Sequence, residues 1–225
     1  MAGRFLLGET SAGSVPFLAR QEAPEAALSR LLRASARLSA LASFLDGLTL
    51  PSRISAVRSL SRRELVLLWE VAARGRPPPW SVRLFYPEDF PRRLTFEWVG
   101  LEAGHLFLHE AARRFTRGPA PDELVGHDPS VPWPAGPGYF RVRASPARAG
   151  DVFFDYSDVP RRAPPGWPAP RTNEHGLASL AYGNRRDHVR AVGSHVAVGR
   201  AHDLAGRPLR RWLVLARSEV LPFGA

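Results

Sequence analysis

Apolar positions recur at helical spacing in the first third of the chain and at alternate positions in the rest. After Pro24, Leu28, Leu31, Leu32, Leu38, Leu41, Ala42 and Leu45 follow the i, i+3, i+4, i+7 pattern. That period predicts a single helix ending at Asp46-Gly47. A short helical piece over 52–60 follows Pro51. Ser61-Arg62-Arg63-Glu64 has the form of a capping box, in which hydroxyl and carboxylate satisfy opposite orphan N–H groups. Behind it Leu65, Leu68, Trp69 and Ala72 form one stripe, and Gly75 with Pro77, Pro78 and Pro79 ends the helix. The arginines of these two helices, Arg53, Arg58, Arg62 and Arg63, invite comparison with a helix-turn-helix. That unit needs a turn of three to four residues and a polar second helix. The joint here is Leu60-Ser61 and the second helix is mostly apolar, so the pair reads as packing helices with arginine on the wet face.

Beyond Trp80 the period becomes two. Strands are predicted over 93–100, 139–144, 152–156, 176–182, 195–202 and 209–217. The second and third form a hairpin across 145–151, and the last two form another around Asp203 and Gly206. Residues 103–117 predict a helix. Residues 118–137 hold six prolines and 158–170 hold five, which marks both as loops of the length used for lids or binding segments. Sequential hairpins with few intervening helices exclude a parallel doubly wound sheet. The expected fold is α+β: an N-terminal arm and helices over 1–79, with a loose arm over 1–23, packed on an antiparallel β-meander or small lipocalin-like barrel over 80–225.

Composition narrows the function classes. The 225 residues are 44% hydrophobic, enough for a packed core, and include no cysteine, which excludes disulfides and thiolate chemistry. A reducing cytoplasm fits that absence. No run approaches a membrane span, and the opening residues lack a secretory core. The net charge of +10 comes entirely from arginine. Residues 1–80 carry 11 Arg against 6 acids and residues 81–225 carry 20 against 15, so each part has a net charge of +5. A nucleic-acid partner usually meets a concentrated stripe, and this even spread argues against one.

No motif announces a reaction. His105 and His109 would share a helical face, but the zincin order of residues is absent and no metal site is expected. His188, His195 and His202 recur every seven residues, which on a strand alternates faces. Residues 182–190 gather Asp187, His188 and three arginines; the plain reading is a turn in which Asp187 pairs with a nearby Arg. Asp155 and Asp158 end a strand without sugar-specific context. No phosphate loop, dinucleotide fingerprint or nucleophile elbow is present, and no cofactor is expected. Aromatic residues fill the β half, and Trp98, Tyr156 and Tyr182 are candidate pocket walls. If Val196 and Val198 point inward, Arg200 does too and could anchor an anionic head group.

Several late stretches carry a resemblance. They are Gly176-Leu-Ala-Ser-Leu-Ala-Tyr182-Gly, Asp187-His-Val-Arg190, Val198-Gly199-Arg-Ala, Gly206, and Trp212-Leu-Val-Leu-Ala-Arg217. Over about forty residues they resemble the closing strands of lipocalin-like bacterial proteins of the GXWXG-type group, whose opening Gly-x-Trp-x-Gly is not in this chain. The resemblance implies a calycin-type barrel and no particular activity. The reading that follows is a cytoplasmic protein binding a small hydrophobic or amphipathic molecule in a barrel cavity. The alternatives are an isomerase, cyclase or hydrolase in the same cavity, using Asp155, Asp187 or His195, or a non-catalytic interaction module with a solid barrel.

Overall fold

The computed structural model describes residues 22–75 and 81–222, apart from 88, 92, 93, 105–107, 119, 121, 122, 131–134 and 147. Most of the N-terminal arm, Trp80, His105 and Trp133 lie outside the described residues. Four helices open the fold: α1 (Pro24–Arg33), α2 (Leu38–Gly47), α3 (Leu50–Arg58) and α4 (Arg62–Arg74). The single helix expected over the first stretch is two, because the chain turns at Ser35, whose φ is +53°. The capping box at Ser61 is formed: the Ser61 hydroxyl accepts from the Glu64 N–H, and Glu64 Oε2 accepts from the Ser61 N–H at 3.0 Å. Ser61→Ala is expected to cost about 1 kcal/mol, read by urea denaturation.

Eight antiparallel strands close into a barrel in simple chain order. They are β1 (Leu94–Ala103), β2 (Leu108–Arg117), β3 (Leu124–His127), β4 (Phe140–Ala144), β5 (Val152–Asp155), β6 (Arg186–Ala191), β7 (Val196–His202) and β8 (Pro208–Pro222). Each strand pairs with the next and β8 returns to β1, so no edge is left open. The α+β fold with a lipocalin-like barrel is therefore the observed one. Both predicted hairpins are present.

Four expectations differ. Residues 103–117 take in the end of β1 and, from Leu108, the whole of β2, because Ala111, Arg113 and Phe115 alternate inward, and a buried arginine hides that period. Residues 176–182 are helix α5 (Gly176–Tyr182) rather than a strand. Ala178 and Tyr182, four apart, are buried, while Leu180 is exposed, and a strand would have put all three on one face. The Pro-rich 118–137 stretch contains β3, and His188 lies on β6 rather than in a turn.

Register sorts the side chains into two cores. Inside the barrel, Phe96, Trp98, Phe115, Phe140, Val142, Phe154, Leu213 and Leu215 meet a plug, Leu84-Phe85-Tyr86, that follows the 3-10 turn Ser81–Leu84. The Phe85 ring lies 4.7 Å from Phe115, 4.9 Å from Trp98 and 5.3 Å from Phe154. Outside, Leu101, Ala103, Val196, Val198, Val214 and Ala216 face Leu28, Leu41, Val57, Leu65 and Leu68 of the helices. The strands under the helices are thus apolar on both faces. For that reason Val196, Val198 and Arg200 point outward, not inward as expected, and the Arg200 guanidinium lies over the outer Trp212 ring at 5.3 Å.

Candidate functional site

The plug fills one end of the barrel, and the other end is polar. Glu102 on β1, Arg113 on β2, Asp128 just past β3, Arg185 and Asp187 at the start of β6, and Arg211 on β8 form one ion-paired network. Glu102 Oε2 accepts from Arg113 at 2.7 Å and its Oε1 accepts from Arg185 at 2.9 Å, with Arg211 at 3.4 Å. Arg113 also donates to Asp128 Oδ2 at 2.6 Å and to the Tyr156 hydroxyl at 3.2 Å. Arg185 grips Asp187 with two bonds, 2.6 and 2.7 Å. Three guanidinium groups thus face three carboxylates, and the group as a whole carries no net charge. Arg113 and Asp187 are completely buried. Burial alone would push Glu102 up, but Arg185, Arg113 and Arg211 outweigh it and hold the carboxyl well below its usual range.

Helix α5 caps this end. Tyr182 stacks on Tyr156 with centroids 5.3 Å apart. Its ring lies where a side chain at Gly138 would be, and Gly138 has φ +50°, so both space and backbone call for glycine there. Burial raises both phenols above their ordinary value. The Tyr182 hydroxyl and the Trp98 indole N–H have no hydrogen-bond partner among the described residues.

Of the predicted site residues, Tyr156, Tyr182 and Asp187 come together inside this end of the barrel, while Trp98 lies against the plug. The ion network and the buried Tyr156 and Tyr182 rings lie at the end of the barrel where the sequence reading placed a ligand. Asp187 pairs with Arg185 as the plain reading held, though inside the barrel rather than in an open turn. Asp155 is engaged elsewhere, accepting from Ser157 N–H at 3.2 Å and from Arg186 at 3.2 Å. His195 sits at the far end against Arg217, and burial lowers its pKa. Arg200 is on the helix-covered face.

The sequence reading missed His127, the last residue of β3. Asp128 beside it points into the barrel, so His127 points out, beneath the two Pro-rich loops. Its ring lies 4.3 Å from the Trp167 ring and 5.5 Å from that of Tyr139. Tyr139 donates to the Pro168 carbonyl at 2.6 Å, and Asn173 donates to the carbonyls of Tyr139 and Tyr156, both at 2.7 Å. These bonds hold the 158–172 loop over His127. His127 is only 3% exposed, and neither of its ring nitrogens has a hydrogen-bond partner among the described residues. Burial, then Arg114 and Arg113, bring its pKa down to about 3.

His127 lines a cleft of about 400 Å³ with Arg114, Asp128, Pro129, Gly136, Pro137, Pro168, Ala169 and Arg171. Arg114 is held by Glu97 through its Nε alone, at 2.8 Å. A larger cleft, about 780 Å³, runs between α2, the end of α4 and the β6–β7 turn. Its one carboxylate, Asp46, is already taken by the Ser194 N–H, at 2.9 Å to each oxygen.

No family model, curated protein or solved structure matches this chain. The described residues contain no helix long and apolar enough to cross a membrane.

Proposed function

We propose that the protein is a cytoplasmic small-molecule-binding protein whose ligand enters the cleft at His127, at the polar rim of the barrel. One observation carries the reading: a buried imidazole, whose two nitrogens have no hydrogen-bond partner among the described residues, lines a cleft of about 400 Å³, a volume within the range of small-molecule sites. An unsatisfied buried polar group costs about 1–3 kcal/mol, a cost that a ligand completing its hydrogen bonds removes. The flanking Pro-rich loops, pinned by Tyr139 and Asn173, supply a preformed wall. The side chains inside the barrel support placing the ligand at the rim rather than in the interior.

The proton chemistry favours holding over turning over. Glu102 stays ionised, Tyr156 and Tyr182 stay neutral, and His127 is neutral down to about pH 3. None of these is poised near neutral pH, where general acid–base catalysis works best.

Native mass spectrometry of the full chain, after incubation with the small-molecule fraction of a cell extract, tests the reading. The wild-type chain is expected to retain a molecule that denaturation releases, and His127→Leu, folded by circular dichroism, to lose it. A bare wild-type mass, or equal retention by the variant, would contradict it.

A further inference from the structure

The charge balance around the cleft is specific enough to select a class of ligand. The interior network is neutral by itself, with Arg113, Arg185 and Arg211 set against Glu102, Asp128 and Asp187. Arg114 is paired with Glu97. Arg171 has no ion pair among the described residues, and it lies at the cleft with its side chain exposed. The cleft therefore carries one uncompensated positive charge, together with the terminal nitrogens of Arg114, whose pairing with Glu97 uses only Nε.

One positive charge suits a monoanion. A phosphate group, near −2 at neutral pH, would leave a partly buried negative charge over beside Asp128, and burying unpaired charge is costly. Guanidinium groups match a carboxylate in both shape and charge. A neutral imidazole offers one N–H donor and one lone pair, so one His127 nitrogen seeks an acceptor, and a carboxylate oxygen is one.

The rest of the wall is flat and apolar. Pro129, Pro137, Pro168 and Ala169 present short, rigid surfaces that lose little side-chain entropy when covered. A free inorganic anion would leave most of about 400 Å³ unfilled and these faces wet.

On the reading that His127 marks a ligand cleft, we infer that the ligand is an organic monocarboxylate with a flat ring system. Its carboxylate is held by Arg171 and Arg114, with His127 donating beside them, and its ring lies on the prolines.

Isothermal titration of the full chain with three matched probes, 2-naphthoate, 2-naphthamide and 2-naphthyl phosphate, tests this. 2-Naphthoate is expected to bind at least tenfold more tightly than the amide and no more weakly than the phosphate. Arg171→Ala is expected to weaken 2-naphthoate at least tenfold without moving Tm, since the residue is exposed and makes no ion pair among the described residues. Equal binding of the amide, a phosphate at least tenfold tighter, or an unaffected Arg171→Ala would each overturn the inference. If no probe binds while the extract-derived molecule is retained by the wild-type chain and lost by His127→Leu, the ligand class falls and the cleft stands. If the wild-type chain retains nothing and binds no probe, both fall.

Discussion

Arg113→Met lowers stability by about 3–5 kcal/mol, the cost of breaking a buried ion pair and leaving its partner uncompensated. The arginine is completely buried, and it joins Glu102 to Asp128 across the barrel end while donating to Tyr156. Methionine keeps an unbranched apolar stem, removes the guanidinium and leaves two carboxylates facing an apolar chain. Asp128 keeps Ser130, and Glu102 keeps Arg185 and Arg211, so the barrel loses stability rather than every contact at that end. At roughly 2–4 °C per kcal/mol for a domain of this size, Tm falls by about 6–20 °C. The pair Arg58–Glu110, at 3.1 Å between a half-buried arginine and an exposed glutamate, provides the contrast. Glu110→Gln is expected to cost less than about 1 kcal/mol, as exposed pairs do. Equal effects from the two variants, measured by thermal circular dichroism, would mean that the network is not the buried unit described.

Acid is the second large perturbation. His127 takes up its proton near pH 3 in the folded chain and near 6.5 when unfolded. Between those values the unfolded chain holds more protons, so stability rises with pH across the window and is lost as pH falls from about 6.5 to about 3. At 1.36 kcal/mol per unit, the whole shift amounts to about 5 kcal/mol. Glu102 acts in the same direction but later. Its folded pKa is depressed, so its contribution is present above about 4.5 and is lost only in stronger acid. Burial also lowers His188, His195 and His202, which add to the slope below pH 6.5. His127→Leu therefore flattens the stability profile between pH 6.5 and 4.5 without removing it. Urea midpoints at half-unit steps read the difference, and superimposable slopes for wild type and variant would contradict the assignment.

What the sequence disclosed and what it hid have physical causes. Local signals survived: the capping box at Ser61 and the two late hairpins depend on neighbours in the chain. Long-range burial hid the rest. Arg113 sits between Ala111 and Phe115 on an inward face, and an arginine there reads as a polar break, so β2 passed for a helix. Asp128 and His127 lie among prolines that mask four residues of strand. The Val196, Val198 and Arg200 face is apolar because helices cover it, a fact the strand itself does not carry. Trp98 and Tyr156 were legible as buried barrel aromatics, because aromatic residues at alternate positions have few other places to go; Tyr182 is buried too, but from helix α5 and not from the strand expected there. The unpaired imidazole was not, since its lack of partners depends on β3 facing a loop more than thirty residues later.

The central claim is that the ligand sits at the rim, in the cleft at His127, and not in the barrel interior. Mapping NMR ring and indole signals of the full chain during a 2-naphthoate titration tests it most directly. The account predicts that the His127 ring, the Trp167 indole and the Arg171 guanidinium signals move together, while the Trp98 indole and the Phe154 ring stay in place. Movement centred on Trp98 and Phe154, with His127 silent, would put the ligand inside the barrel and contradict it.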